Sequence, residues 1–188
     1  MAYIRTIHAA DATPELAEIY RRVANPDGTS DEVMLVHSLS PESLRAHFEL
    51  YVTAMHRPSP LSKAERELVG AHVSRLNGCL YCATHHTAGL RRLLPEDRRG
   101  IADAKDFTKA PGLTERERAM LAYAEKLTVT PGRIGEQDVE PLRQAGLDDR
   151  AILDLAQVVA YFCYANRIVN GLGAKLESFP PGQHPAVE

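Results

Sequence analysis

Cysteine is scarce in this chain and tryptophan is absent: there are three Cys and no Trp in 188 residues. An odd, low cysteine count does not build the disulfide framework of a small secreted domain. Positive charge is not in excess either. Lys and Arg number 22 against 25 Asp and Glu, a formal net charge of −3, so the basic surplus needed to bind nucleic acid or an anionic membrane is missing. No apolar run approaches the ~20 residues of a membrane span. The first residues, Met1-Ala2-Tyr3-Ile4-Arg5-Thr6, lack the charged start and apolar stretch of a signal peptide. These absences predict a cytoplasmic protein with reduced thiols and no nucleic-acid or membrane partner.

Alternating, strand-like patterning is also missing, and helical periodicity takes its place almost everywhere. The hydrophobic and charged fractions, 44% and 25%, are ordinary globular values, and the length favours one domain over 1–188. Thr13-Pro14-Glu15 caps a helix through Leu16, Ile19, Tyr20 and Val23 that stops near Asn25-Pro26-Asp27-Gly28. Val33-Met34-Leu35-Val36 sits between helix signals and is read as helical. Ser40-Pro41-Glu42 opens a helix over Leu44, Phe48, Tyr51, Val52 and Met55, broken at Pro58. Ser62/Glu65 and Thr114/Glu117 form two capping boxes. The similar segments behind them, "LSKAERELVGAHVSRL" and "LTERERAMLAYAEKL", hint at a duplicated helical unit. Asp148 starts a last long helix ending at Gly171 or Gly173, and the Pro-rich tail from about 179 to 188 is expected to be a flexible, extended arm.

Chemistry concentrates in Asn77-Gly78-Cys79-Leu80-Tyr81-Cys82-Ala83-Thr84-His85-His86. On a helix, Cys79 and Cys82 lie about 60° apart and Cys82 and His86 about 40° apart, so all three share one face. A thiol attacks only as thiolate, and a helix N-terminus, a histidine or a second thiol favours that form. Cys82 with His86 as base is the better nucleophile, and Cys79 is placed to close a disulfide on its sulfenic acid. Other readings stand beside this one. The thiols could be structural. Cys79, Cys82 and His86, completed by His72 or Glu67, could hold zinc. Haem attachment is dismissed because Ala83 occupies the histidine position of C-x-x-C-H, and a thioredoxin fold because a capped helix precedes the motif.

Glu67, then Cys79-x-x-Cys82, then His86 resembles the alkylhydroperoxidase AhpD-like family of the carboxymuconolactone decarboxylase superfamily. Cys-x-Tyr-Cys, Ala160-Tyr161-Phe162, Asn166-Arg167 and Leu172-Gly173 resemble its peroxidase-related branch. The resemblance implies an all-α bundle that forms homo-oligomers, trimers or hexamers, and reduces organic hydroperoxides at the expense of an external dithiol, with no bound cofactor and no metal. It implies Cys82 as the peroxidatic thiol, Cys79 as the resolving thiol, His86 as base and Glu67 in the proton relay. Tyr81 stands where the best-studied branch has a second histidine, and tyrosine is a poor base at neutral pH. His85 is placed beside the site. Periodicity alone puts Glu67 on a polar arc with Lys63, Arg66, Gly70, Ser74 and Asn77, as a solvated acid; only the resemblance moves it to the site. Cys163 is expected to be a small core residue, His72 a surface or packing histidine, and Asn166 and Arg167 to fix helix packing or an interface. A non-redox lactone decarboxylase-like enzyme, a thiol sensor and a metal-binding oligomer are the alternatives.

Overall fold

The computed structural model describes residues 2–25 and 28–182. Among them the chain forms nine α-helices and no strand: α1 Pro14–Val23, α2 Glu32–Leu35, α3 Pro41–Met55, α4 Lys63–Leu76, α5 Leu80–Leu93, α6 Gly100–Asp103, α7 Glu115–Val129, α8 Glu136–Gln144 and α9 Asp149–Leu172. The fold is all-α, as the periodicity demands, and the Val33 segment is helical within α2. Of the stop expected after α1, Pro26 and Asp27 lie outside the described residues.

Helix ends follow local chemistry. Thr13, Ser40 and Asp148 accept backbone N–H groups at the starts of α1, α3 and α9, relieving donors that a first turn leaves unpaired. Both capping boxes form, at Ser62/Glu65 and Thr114/Glu117. The two helices they open run side by side in the same direction. Arg116 Nε donates to Glu65 Oε1 at 2.7 Å near their starts, and His72 Nε2 lies 3.9 Å from Glu125 Oε2 two turns later.

Helix α4 is the centre of the bundle, packed between α5, α7 and α9, and every residue from Arg66 to Ser74 is buried. This corrects the reading of its polar arc as solvated. Periodicity reports which residues share a face, not whether another helix covers that face. Here α9 covers it, running parallel to α4. Asn166 Nδ2 donates to Ser74 Oγ (3.1 Å), Asn77 Nδ2 to Asn166 Oδ1 (3.0 Å) and Asn170 Nδ2 to the Asn77 carbonyl (3.3 Å). The Ser74 hydroxyl and the Asn77, Asn166 and Asn170 amides each meet a partner, as buried polar atoms require. Asn166 thus has the packing role expected of it, whereas Arg167 is exposed and donates to the Cys163 carbonyl.

The same seam explains Gly70. A Cβ built there would overlap the Phe162 ring, so the missing side chain sets how closely α4 and α9 approach. Helix α9 is long and apolar enough to cross a membrane, but half of that stretch is buried against the rest of the bundle. Beyond it the chain turns back. Arg92 Nη1 donates to the Pro181 carbonyl at 3.1 Å, and the Gly182 N–H donates to His85 Nδ1 at 3.2 Å. Residues 179–182 of the expected arm therefore lie along α5, and the remainder falls outside the described residues.

Gly70→Ala should lower stability by about 1–3 kcal/mol through overpacking. Combining it with Phe162→Leu should recover part of that loss, because the two side chains compete for one space. Thermal denaturation of the single and double variants measures both.

Candidate active site

The α4–α5 connection places the sulfurs. Asn77 caps α4 and Gly78, at φ 64°, turns the chain through a conformation that a Cβ would strain. The Cys79 N–H then donates to the Ser74 carbonyl at 2.8 Å. Cys79 is the N-cap of α5, and its Sγ accepts the Cys82 backbone N–H at 3.5 Å, a position usually filled by a side-chain oxygen. Both cysteines are buried and neither is in a disulfide.

The two thiols titrate as a pair. A hydrogen bond from Cys82 lowers the Cys79 thiol to about 7 against the cost of burial, helped by the Cys82 and Tyr81 backbone N–H groups and the Asn166 side chain. The Cys79 sulfur and burial push the Cys82 thiol up. The first proton therefore leaves near neutrality and the resting charge sits on Cys79, at the positive end of α5. Asn166 lies against both sulfurs and favours their charged forms, a second duty beyond the packing foreseen for it.

Cys82 and His86, one turn apart, line a common cavity of about 30 Å³. Cys79 instead lines a separate surface groove with Arg75 and Leu80. The imidazole is fixed from behind. His86 Nδ1 and Glu67 Oε2 are 2.7 Å apart, and the ring meets the edge of Phe162 at 4.5 Å. With Nδ1–H donated to the carboxylate, the neutral ring carries its lone pair on Nε2. Glu67 is only 4% exposed, the opposite of a solvated acid, because the turn at Gly78 folds α5 back over the polar arc of α4.

Tyr81 and His85 line the same cavity and stack on one another, ring centroids 4.6 Å apart. Both reach Glu177, a residue that no motif or periodicity singles out. The Tyr81 hydroxyl donates to Glu177 Oε1 at 2.6 Å, and His85 Nε2 donates to Oε2 at 2.9 Å. Burial raises the Tyr81 hydroxyl, and the carboxylates of Asp31 and Glu177 raise it further, so Tyr81 keeps its proton. Two more tyrosines complete the cavity. Tyr51 and Tyr161 are raised by burial first, then by the charges of Glu67 and Cys82 respectively. They face the site as neutral groups.

The ligand set weighed for zinc does not come together among the described residues. Glu67 turns its carboxylate to His86, and His72 packs on Phe107 and faces Glu125 of α7. Among the described residues no three His, Cys, Asp or Glu side chains converge as a metal needs. Cys163 is half-buried, packs against the main core and accepts from Asn77 Nδ2 at 3.8 Å, in keeping with a packing role.

Residues 41–126 match the carboxymuconolactone decarboxylase family. An uncharacterized peroxidase-related protein from Ralstonia eutropha JMP134, titled an alkylhydroperoxidase AhpD core, superposes with a TM-score of 0.84 and is 29% identical over 98% of both chains. An uncharacterized peroxidase-related protein from Silicibacter sp. TM1040 is 34% identical, with a TM-score of 0.73, over 80% of this chain and 78% of that one. The debrominase Bmp8 shares the fold at 20% identity and a TM-score of 0.77, over 93% of this chain and 92% of its own. The chain belongs to the carboxymuconolactone decarboxylase family, and within it to the AhpD-like, peroxidase-related proteins.

Alkylation by iodoacetamide, resolved by cysteine with mass spectrometry, should follow a midpoint of about 7 at Cys79 while Cys82 stays slow through that range. A Cys79 midpoint at the ordinary thiol value would contradict the assignment of the resting charge.

Proposed function

We propose that the protein is a thiol peroxidase that reduces organic hydroperoxides through the Cys79/Cys82 pair. One observation carries this reading: a buried Glu67–His86 pair shares its cavity with Cys82, whose neighbouring thiol Cys79 is lowered to about 7 by their hydrogen bond. A non-catalytic core has no need of that combination, since perturbed titratable groups clustered in a cavity are the mark of a working site.

In the proposed cycle His86 Nε2 takes the Cys82 proton, and the Glu67 carboxylate steadies the imidazolium that results. The Cys82 thiolate attacks the terminal peroxide oxygen. The O–O bond breaks, the alkoxide leaves and takes the proton from His86, and Cys82 becomes a sulfenic acid. Cys79, held as thiolate at the cap of α5, attacks that sulfur. The S–S bond forms, and hydroxide leaves and is protonated to water. Two electrons pass from the dithiol to the peroxide, giving one alcohol and one water. An external dithiol then returns them by thiol–disulfide exchange. Tyr81 holds its proton too tightly to act as a base, so the relay runs through His86 backed by Glu67. The reading brings from the family resemblance a homo-oligomer, trimer or hexamer, which light scattering measures.

Titrating the reduced protein with cumene hydroperoxide should consume two thiols per peroxide. Cys82→Ser should abolish the consumption, and His86→Ala should slow it by about 10²–10⁴-fold, the usual worth of a positioned general base. Retention of all thiols, or equal consumption in Cys82→Ser, would refute the mechanism. The match to the decarboxylase family over residues 41–126 supports a second reading, a non-redox lactone decarboxylase-like enzyme. Turnover of a lactone acid that is unchanged in Cys79→Ser would favour it.

A further inference from the structure

The cavity beside Cys82 is small. At about 30 Å³ it has room for about two waters, and so for hydrogen peroxide, but not for the alkyl part of an organic hydroperoxide. Its wall is made of two kinds of residue. Tyr51, Tyr161 and Phe162 come from the long helices of the bundle and are buried in the main core. Met34 of α2 belongs to the same core, while Asp31, Val33, Tyr81 and His85 lie on the opposite side, where Tyr81, His85 and the start of α2 bond to the chain that follows α9.

The charged part of that hold is one carboxylate. Glu177, whose side chain is only 6% exposed, accepts from the Tyr81 hydroxyl (2.6 Å), from the Glu32 backbone N–H (2.7 Å) and from His85 Nε2 (2.9 Å). It thus ties α5 to α2 across the cavity wall. The partners are determined on both sides. The Val33 N–H donates to the Tyr81 oxygen at 3.4 Å, so the Tyr81 proton is left for Glu177. The Gly182 N–H donates to His85 Nδ1, so that ring's proton is on Nε2, facing Glu177. Every hydrogen bond in this cluster has one donor and one acceptor, and the segment supplying Glu177 carries no helix of its own. Three of the bonds that tie this wall meet on one side chain of an irregular segment, so this is the part of the cavity that can yield.

We propose that Glu177 is the specificity-determining residue of the thiol site: its carboxylate ties Tyr81, His85 and α2 into a wall that admits hydrogen peroxide freely and slows alkyl hydroperoxides, which reach Cys82 in the intervals when the tie opens. This rests on the peroxidase reading and sharpens it, naming the smallest peroxide as the substrate of the closed site. Cutting the tie favours bulky peroxides over small ones. It does not touch the sulfurs, His86 or Glu67.

The test compares rates of Cys82 oxidation by hydrogen peroxide and by cumene hydroperoxide in the full chain, for wild type, Glu177→Ala and Tyr81→Phe. In Glu177→Ala the cumene-to-hydrogen-peroxide rate ratio should rise at least about tenfold, the scale of one lost charge-assisted hydrogen bond. Tyr81→Phe removes one of the three donors, keeps the carboxylate on the other two, and should move the ratio in the same direction by less. It also serves if Glu177→Ala does not fold. A ratio unchanged in both variants, or an equal fall in both rates, overturns the proposal. If no peroxide oxidises the wild type, the peroxidase reading fails on its own. The tie is then judged by alkylation of Cys82 with iodoacetamide against a bulky maleimide, where release of the wall in Glu177→Ala should favour the maleimide and an unchanged ratio overturns it.

Discussion

The hydrogen bond between His86 and Glu67 is the contact on which the site depends. Neither residue could be buried alone at reasonable cost, since an unpaired polar group in an apolar interior loses the hydration it had in water. Together they can be buried, and their pairing requires α5 to lie antiparallel on α4 with the two side chains in register. The short turn through Asn77 and Gly78 supplies that register. It also delivers Cys79 to the cap of α5, so one turn sets both the base and the ionised sulfur. Around this hairpin α9 closes the polar seam of α4 with Asn166, and Phe162 fills the space that Gly70 leaves open. The packing of the core and the electrostatics of the site are therefore the same arrangement seen from two sides.

The division of labour between the sulfurs follows from their positions. Cys79 sits where backbone N–H groups converge and carries the charge at rest, yet it lines a groove away from the cavity. Cys82 is harder to ionise but shares the cavity with the imidazole. A thiolate kept ready beside a thiol that ionises only on demand suits a two-step reaction. In the proposed cycle the first sulfur needs a base at the moment of attack, and the second must be charged when the sulfenic acid forms. Bmp8 shares this fold at 20% identity, and a fold by itself does not imply a reaction. The choice lies with the side chains around the pair.

Much of this was legible in the residues themselves. Helix starts at Thr13, Ser40, Ser62, Thr114 and Asp148 are local chemistry, because an N-cap and its partner lie three residues apart. The placing of Cys79, Cys82 and His86 along one stretch of helix is equally local, since it needs only the angle per residue. Glu67 was different. Its helix reads as amphipathic with the acid on the wet side, and only the family pattern suggested otherwise. Periodicity cannot report that a second helix covers the polar arc. Glu177 left no trace at all: it lies in an irregular segment, and its partners Tyr81 and His85 are more than ninety positions away.

The sequence by itself determined an all-helical chain, the caps that begin its helices, and a dithiol with a histidine one turn on, because each of these is settled within a few residues of backbone. Only the tertiary structure decided that α4 is enclosed, that Glu67 faces His86 and that Glu177 ties the cavity wall. Those outcomes depend on which helices meet and at what register, and that is fixed by burial of the whole core rather than by any short run of residues.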